Sequence, residues 1–167
     1  MSAPANFDRL ARAYRWMEAA SFGPFLMRAR CAFLAETASA QHALVLGDGD
    51  GRFTARLLAA NPSVLIDAID ASPAMLAALL RNAGPHAARV TIHCTDIRTW
   101  QPAARYDLIV THFFLDCLST AEVAALAARL RACAAPGALW LVSDFAIPAN
   151  LFGRAIAHPL VAALYRA

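Results

Sequence analysis

The most informative absence in this 167-residue sequence is lysine, since all 15 residues counted as Lys or Arg are arginine. Without lysine the chain cannot form a Schiff base with a substrate, and it cannot build a phosphate-binding loop around an ammonium group. The net charge is only +3, and the arginines are scattered along the chain. This distribution predicts solvated helix faces and argues against nucleic acid as a partner.

Long apolar runs are also absent, although mean hydropathy is +0.46 and charged residues make up only 16%. No window approaches the roughly 18 consecutive apolar residues of a membrane span. The first ten residues lack the basic start and apolar centre of a signal peptide. We therefore expect a cytoplasmic protein without stable membrane insertion. The four cysteines have no CxxC spacing, which predicts buried free thiols rather than a metal site.

The chain has the length of one domain, and its apolar runs alternate with helical patterns. The five predicted strands are 43–46, 64–69, 90–94, 106–111 and 138–145, the last after a turn at Pro136–Gly137. The predicted helices are 6–19, 24–37, 53–60, 72–82, 119–134 and 151–166. Strands that alternate with helices form a parallel sheet covered on both faces, so we expect a doubly wound α/β fold.

In such a sheet, ligands bind at the carboxyl ends of the strands. A glycine-rich turn, 47–51, follows the first predicted strand, and Asp70 ends the second. A carboxylate at that position can accept hydrogen bonds from both hydroxyls of a ribose, so the sequence predicts a nucleoside ligand. Asp70 could instead cap the next helix, although Ser72 is better placed for that role.

Two carboxylates in the glycine turn bear on which nucleoside is bound. Nicotinamide dinucleotides prefer GxGxxG, whereas this turn reads GDGDGR and its third glycine comes one residue early. If Asp48 and Asp50 faced a pyrophosphate, each contact would cost on the order of 3 kcal/mol at ~5 Å and an effective dielectric constant of about 20. S-adenosylmethionine has a ribose and an adenine but no phosphate, and its amine and sulfonium are cationic. The turn therefore favours S-adenosylmethionine.

Five stretches, in order, resemble the class I, Rossmann-like S-adenosylmethionine-dependent methyltransferases over about residues 5–145. They are VLGDGDGRF, IDAIDASPAML, HCTDIRTW, YDLIVTHFFLDCLS and LRACAAPGALWLVSDF. The N-terminal FDRLARAYRWME is similar to the helix that covers the cofactor in many small-molecule members. The resemblance implies one domain with lid helices in 1–38, a Rossmann-like core of about five strands in 43–145 and a C-terminal helix in 151–166. The family's sheet normally continues with an antiparallel hairpin of two more strands, and we expect this hairpin to be absent here.

The resemblance also implies roles for single residues. The family's acidic residue two places before the first glycine is Val45 here, so Asp48 or Asp50 would substitute in recognising the amine. The implied cofactor-binding residues are Tyr14 over the amino-acid end; Gly47, Asp48, Gly49 and Gly51 around the methionine moiety; Asp70 on the ribose; Ala71 and Met75 beside the adenine; Asp96 at its amine and Ile97 on its ring; and Thr111, His112 and Phe113 under the sulfonium.

Methyl transfer from a sulfonium is an in-line displacement that mainly requires alignment of the acceptor and exclusion of water. A base is needed only for acidic protons, and the catalytic candidates are His112 and Asp116 after the fourth strand. His112 could instead order the cofactor, and Asp116 could only hold its loop. The THFF stretch lacks the signatures of amide and adenine N-methyltransferases. We expect a small, largely apolar methyl acceptor, S-adenosylhomocysteine as product and no metal.

Two other functions stay open at this point. One is a nicotinamide-dependent oxidoreductase, and the other is an inactive partner subunit that binds the cofactor. One C-terminal helix can cover only one face of the fifth strand, which would leave a sheet edge with unpaired backbone groups. We therefore expect either a homodimer through the edge of that strand or through the C-terminal helix, or else a longer natural chain.

Overall fold

A computed structural model of the protein describes residues 25–144. The predicted helices 6–19 and 151–166, together with Tyr14, lie outside the described residues. The described range holds the predicted core, apart from residue 145, and the segment that directly precedes it.

Within residues 25–144, five strands form a single parallel sheet, which confirms the predicted fold class. The strands are β1 (His42–Leu46), β2 (Leu65–Asp70), β3 (Val90–Cys94), β4 (Tyr106–His112) and β5 (Ala134–Ser143). Their order across the sheet is β3-β2-β1-β4-β5, and all four pairings are parallel. The chain places β2 and β3 on one side of β1, and then β4 and β5 on the other side. The gap between β1 and β4 is therefore the topological switch point, where such sheets bind ligands.

Helices connect most of these strands. The described helices are α1 (Phe25–Arg30), α2 (Arg52–Ala60), α3 (Pro73–Ala83) and α4 (Thr120–Cys133), and short 3-10 turns occupy Ala35–Thr37, Gly84–Arg89 and Leu115–Cys117. The single helix predicted over 24–37 is wrong, because α1 ends at Arg30. Beyond it the chain bends so that Cys31 and Leu34 pack on the core, and Thr37 Oγ1 closes the turn on the Leu34 carbonyl at 2.7 Å.

The sheet is covered on both faces, and this explains the apolar runs in the central strands. On one face, Phe53 of α2 and Leu79 of α3 pack in the same core as Val45 of β1. On the other face, Leu126 of α4 packs in the same core as Leu44 of β1. Neighbouring residues of β1 therefore face opposite layers, and both layers are buried.

The fifth strand departs from its prediction at both ends. It begins at Ala134 rather than 138 and ends at Ser143 rather than 145. Tyr106 of β4 pairs with Ala134 and Leu108 pairs with Leu139, so β5 spans five residues where β4 spans two. The predicted Pro136–Gly137 turn is this irregularity within the strand.

At the edge of the described sheet, β5 exposes three apolar side chains, Leu139, Trp140 and Val142. Residues that follow Asp144 lie outside the described range. A homodimer through this edge therefore stays a prediction.

Both predicted helix caps are confirmed. Ser72 Oγ accepts a hydrogen bond from Met75 N at 3.2 Å, and Pro73 is the first residue of α3. At α4, Ser119 Oγ accepts from Glu122 N at 3.4 Å and Glu122 Oε2 accepts from Ser119 N at 2.8 Å. This reciprocal pair satisfies two backbone donors that a helix N-terminus otherwise leaves without partners.

Replacing Ser119 with alanine should lower the free energy of unfolding by about 1 kcal/mol, because the Glu122 amide loses its acceptor. Urea denaturation followed by circular dichroism measures this change. Ser39→Ala, on an exposed residue before β1, is the matched control and should stay within about 0.5 kcal/mol of wild type. Equal midpoints for the two variants would contradict a stabilising cap.

Candidate functional site

The ends of four neighbouring strands bring the predicted site residues into one row. Across the sheet, Asp96 follows β3, Asp70 ends β2, the turn 47–51 follows β1, and His112 ends β4. The register places the last residue of β1 opposite the ends of both β2 and β4. Residues far apart in sequence therefore lie at one edge of the sheet.

Three glycines shape the turn after β1. Gly47, Gly49 and Gly51 have φ angles of +64°, +61° and +78°, in the left-handed region that favours glycine. A Cβ on Gly47 would overlap the Phe114 ring, and one on Gly51 would overlap α3. Among the described residues, a Cβ on Gly49 would meet only Met75 Sδ, at 4.0 Å. Gly49 is thus the glycine whose backbone a ligand can approach without displacing the protein's own packing.

The carboxylates of the turn are buried, which differs from their expected display toward a ligand. Asp48 Oδ2 accepts hydrogen bonds from Thr54 N at 2.9 Å and Thr54 Oγ1 at 2.7 Å. Asp50 Oδ1 pairs with Arg52 Nε at 3.0 Å. The reason is that α2 begins directly after the turn and offers both partners. Burial raises the pKa of Asp48, and the hydrogen bonds from Thr54 oppose that rise. Asp48 Oδ1 has no hydrogen-bond partner among the described residues.

A buried arginine lies beside this turn. Arg30 is only 5% exposed, whereas the sequence predicted a solvated side chain. Its guanidinium carbon lies 5.3 Å from the centroid of the Phe113 ring, within cation–π range. Its positive charge also opposes the rise in the pKa of Asp48 and adds to the lowering of the pKa of His112. Nothing in the sequence separates Arg30 from the exposed Arg28 two residues earlier, so this residue was missed.

Strand β5 fixes the backbone and side chains at the end of β4. Thr111 Oγ1 accepts a hydrogen bond from Trp140 Nε1 at 2.9 Å. Phe113 has a φ of +54°, and its N–H donates to the Ser143 carbonyl at 2.6 Å. A left-handed conformation costs a residue with a side chain roughly 1–2 kcal/mol. The turn sends Phe113 toward Arg30 and leaves the next ring, Phe114, against the glycine turn.

His112 is a buried, neutral histidine. It is 3% exposed, and its ring meets Phe53 edge-to-face with centroids 4.7 Å apart. Burial, assisted by the charge of Arg30, lowers the pKa of His112 to about 4. Neither ring nitrogen has a hydrogen-bond partner among the described residues. At neutral pH this imidazole therefore carries no charge.

The side of the row that is predicted to bind a nucleoside is built at the end of β2. Asp70 Oδ1 accepts a hydrogen bond from Ser72 N at 2.8 Å, while the Ser72 hydroxyl caps α3. Ala71 between them is exposed. Met75 is buried, and its sulfur is the described atom nearest to the position of a Gly49 Cβ. The helix cap is therefore Ser72, as predicted, and the Asp70 carboxylate orders the turn that precedes it.

The last predicted cofactor residues follow β3. Asp96 is exposed, and its Oδ1 accepts a hydrogen bond from Arg98 N at 2.8 Å. Ile97 is buried in the core that α4 covers. Asp116 lies on the exposed 3-10 turn that follows β4. The second catalytic candidate is thus on the surface, whereas the first, His112, is buried.

Residues 25–144 contain neither a helix suited to cross a membrane nor a cluster of metal-ligating side chains. Within that range no helix combines the length and apolarity that crossing a membrane requires. In the same part of the chain, no three His, Cys, Asp or Glu side chains converge in a way that could hold a metal ion.

A family model described as a methyltransferase domain matches residues 44–140. That match covers more than half of the chain and extends from β1 into β5.

Individual relatives match shorter parts. The chain is 42% identical over 69 residues to trans-aconitate 2-methyltransferase of Streptomyces avermitilis, which is 40% of this chain and 26% of that protein. It is 40% identical over 83 residues to tRNA1(Val) (adenine(37)-N6)-methyltransferase of Cronobacter sakazakii, 47% of this chain and 34% of that protein. The matches thus span about a third or less of the length of these two curated relatives.

Among solved structures, the chain resembles SAM-bound CalS10, an amino pentose methyltransferase from Micromonospora echinaspora. The TM-score is 0.62 at 22% identity, over 90% of this chain and 62% of that one. At this identity the likeness establishes the fold.

Proposed function

Since the chain belongs to the methyltransferase domain family, we propose that it is an S-adenosylmethionine-dependent methyltransferase. Its acceptor in this proposal is a small, largely apolar molecule, and S-adenosylhomocysteine is the product. The observation that carries the proposal is the row of strand ends, in which the glycine turn lies between Asp70 of β2 and His112 of β4. A nucleoside would lie on the Asp70 side, and the reacting methyl group on the His112 side.

The turn fits the amino-acid end of this cofactor. Gly47, Gly49 and Gly51 provide backbone, and Gly49 leaves the approach unobstructed by described side chains. The second oxygen of Asp48 is a buried acceptor without a described partner, and a cationic amine would satisfy it. Asp48 would then replace the acidic residue whose place Val45 takes. Tyr14 remains our proposed cover for this end.

The other end fits a nucleoside. In this proposal Asp70 accepts from the ribose hydroxyls, Ala71 and Met75 flank the adenine, and Asp96 accepts from its amine while Ile97 packs on the ring. Two carboxylates on adjacent strand ends support this assignment, because both hydroxyls and the exocyclic amine are donors.

When bound, the cofactor supplies a methyl group on an already activated sulfonium. The protein's contribution is therefore mainly positional. Thr111 and Phe113 are held by Trp140 and Ser143 of the neighbouring strand, so the wall that they form is preorganised. Phe113 also holds a left-handed conformation, the kind of backbone strain that concentrates at functional sites.

His112 and Asp116 remain the proposed catalytic residues for acceptors that lose a proton. With a pKa of about 4, His112 is neutral and able to accept a proton throughout the physiological range. Its basicity is weak, so in our proposal its main use is as a neutral hydrogen-bonding group beside the acceptor. Asp116 is exposed on the turn that follows β4.

Neither alternative function is favoured by a specific observation. A nicotinamide-dependent oxidoreductase is not favoured, because the family match points to methyl transfer. The acceptor class is tested by measuring S-adenosylhomocysteine release with apolar small molecules and with RNA in parallel. Release with RNA alone would contradict our proposal, and release with neither would favour the inactive partner subunit.

Replacing Asp70 with alanine should weaken S-adenosylmethionine binding by about 2 kcal/mol, or roughly thirtyfold, because charge-assisted hydrogen bonds to the ribose are lost. Isothermal titration calorimetry measures the dissociation constant. Asp70→Asn should keep part of the affinity, since its amide oxygen still accepts.

Glu36→Ala is the matched control, since Glu36 lies on an exposed turn before β1. It should bind like wild type. Binding of Asp70→Ala within twofold of wild type would remove Asp70 from the site. Tighter binding of NAD than of S-adenosylmethionine by the wild type would contradict the proposed function as a whole.

A further inference from the structure

We propose that two arginines, Arg98 and Arg129, are positioning residues for adenine recognition. They hold the Asp96 loop, defined as residues 95–100, against α4, so that the Asp96 carboxylate is oriented toward the adenine amine. This inference rests on the proposed function. It adds residues that the family resemblance did not supply.

Arg98 contacts both the carboxylate and the helix. Its backbone N–H donates to Asp96 Oδ1 at 2.8 Å, and Nη1 lies 3.4 Å from each oxygen of that carboxylate. Its Nε donates to Glu122 Oε1 of α4 at 2.6 Å. A single guanidinium therefore joins the proposed adenine acceptor to a residue in the first turn of α4.

Arg129 holds the backbone of the same loop. Its Nη1 donates to the carbonyls of Arg98 at 3.1 Å and Trp100 at 2.8 Å. The side chain of Trp100 is itself buried in the core that α4 covers, as is Ile97. The Asp96 loop is therefore anchored to α4 from its backbone and from two apolar side chains.

Glu122 connects this arrangement to the other end of the row. Its second oxygen accepts from Ser119 N, and Ser119 caps α4. The hydrogen bond from Arg98, together with those involving Ser119, lowers the pKa of Glu122 to about 2, so the carboxylate is ionised at neutral pH. The segment just before Ser119 is the turn that follows β4. The proposed nucleoside side and the proposed acceptor side of the site thus both adjoin the first turn of α4.

These contacts have a chemical consequence for purine selection. The side chains of Arg98 and Asp96 are 49% and 48% exposed, and ion pairs this exposed contribute little to stability. Their effect is on direction, since the Arg98 side chain adds contacts to both carboxylate oxygens beyond the one backbone hydrogen bond that Asp96 Oδ1 accepts. Held in place, the Asp96 carboxylate accepts from an amine at position 6 of a purine and repels a carbonyl oxygen there. Arg98 and Arg129 should therefore determine how well adenine is distinguished from hypoxanthine.

The test compares two ligands, S-adenosylhomocysteine and S-inosylhomocysteine, by calorimetry on the full chain. Wild type should prefer the adenosyl ligand. Arg98→Ala and Arg129→Ala should each reduce that preference by about tenfold, the equivalent of one oriented hydrogen bond. Arg131→Ala is the matched control, an exposed arginine of the same helix, and should keep the wild-type preference. Asp96→Asn should bind the two ligands equally. Adding Arg98→Ala or Arg129→Ala to Asp96→Asn should not change the ratio of the two affinities further.

Each outcome separates this inference from the proposed function. If wild type binds neither ligand, the proposed function fails. If it binds both equally, the function stands but Asp96 does not distinguish the purines and our inference is overturned. If Arg98→Ala and Arg129→Ala weaken both ligands by the same factor, the arginines act only on the fold, and the inference is overturned as well.

Discussion

Gly51→Ala should destabilise the protein by about 4 kcal/mol. The backbone at Gly51 has a φ of +78°, which costs a residue with a Cβ roughly 1–2 kcal/mol. The new Cβ would also lie 2.7 Å from Leu79 Cα in α3, and backbone cannot yield as a side chain does. Overpacking of this kind adds about 1–3 kcal/mol. A loss of about 4 kcal/mol is a large share of the 5–15 kcal/mol that typically stabilises a domain, so urea denaturation should show a strongly lowered midpoint.

Gly49→Ala is the matched control, because the two glycines share a turn and a left-handed φ. At Gly49 the only described atom outside the turn within 4 Å of the new Cβ is Met75 Sδ, at 4.0 Å, so only the conformational cost of roughly 1–2 kcal/mol is expected. Its effect should appear instead in calorimetry, as weaker S-adenosylmethionine binding, since the methyl group occupies the ligand's approach. Equal destabilisation by the two variants would show that α3 does not constrain the turn.

The second large effect concerns the pH dependence of stability through His112. Its folded pKa of about 4 lies below the ordinary value of 6.5. Between these values the unfolded chain binds a proton that the folded protein does not, so acidification favours unfolding. Stability should be unaffected by this residue above about pH 6.5 and should fall as the pH drops toward 4. The loss should be on the order of 3 kcal/mol.

Urea denaturation at a series of pH values measures this dependence. Other groups titrate in the same range, so the informative quantity is the difference in the free energy of unfolding between wild type and His112→Gln. This difference should decrease by about 3 kcal/mol between pH 6.5 and pH 4. Ser39→Ala, at an exposed residue without a titratable side chain, serves as the control and should follow the pH dependence of wild type. A constant difference between wild type and His112→Gln would show that His112 is accessible to protons in the folded protein.

The sequence by itself determined the order of the elements and the edge of the sheet at which the site lies. Apolar runs longer than a half-buried strand needs indicated a parallel sheet with both faces covered, and β1 and β4 are buried on both faces. Serines at Ser72 and Ser119 marked helix starts, because a cap is a local hydrogen bond between residues three apart. Glycines and acidic residues just after predicted strands then had to converge, since parallel strands share one carboxyl edge.

Only the tertiary structure determined which partners the charged side chains of the site contact and which of these side chains are buried. Asp48 was expected to face the ligand, but Thr54 of the following helix binds one of its oxygens. Arg30 was expected in solvent, but it is buried beside Phe113. The role that we propose for Arg98 and Arg129 depends on hydrogen bonds between residues that are 24 and 31 positions apart in the sequence. Local patterns specify backbone conformation, whereas a long charged side chain takes whichever partner the packed elements bring within its reach.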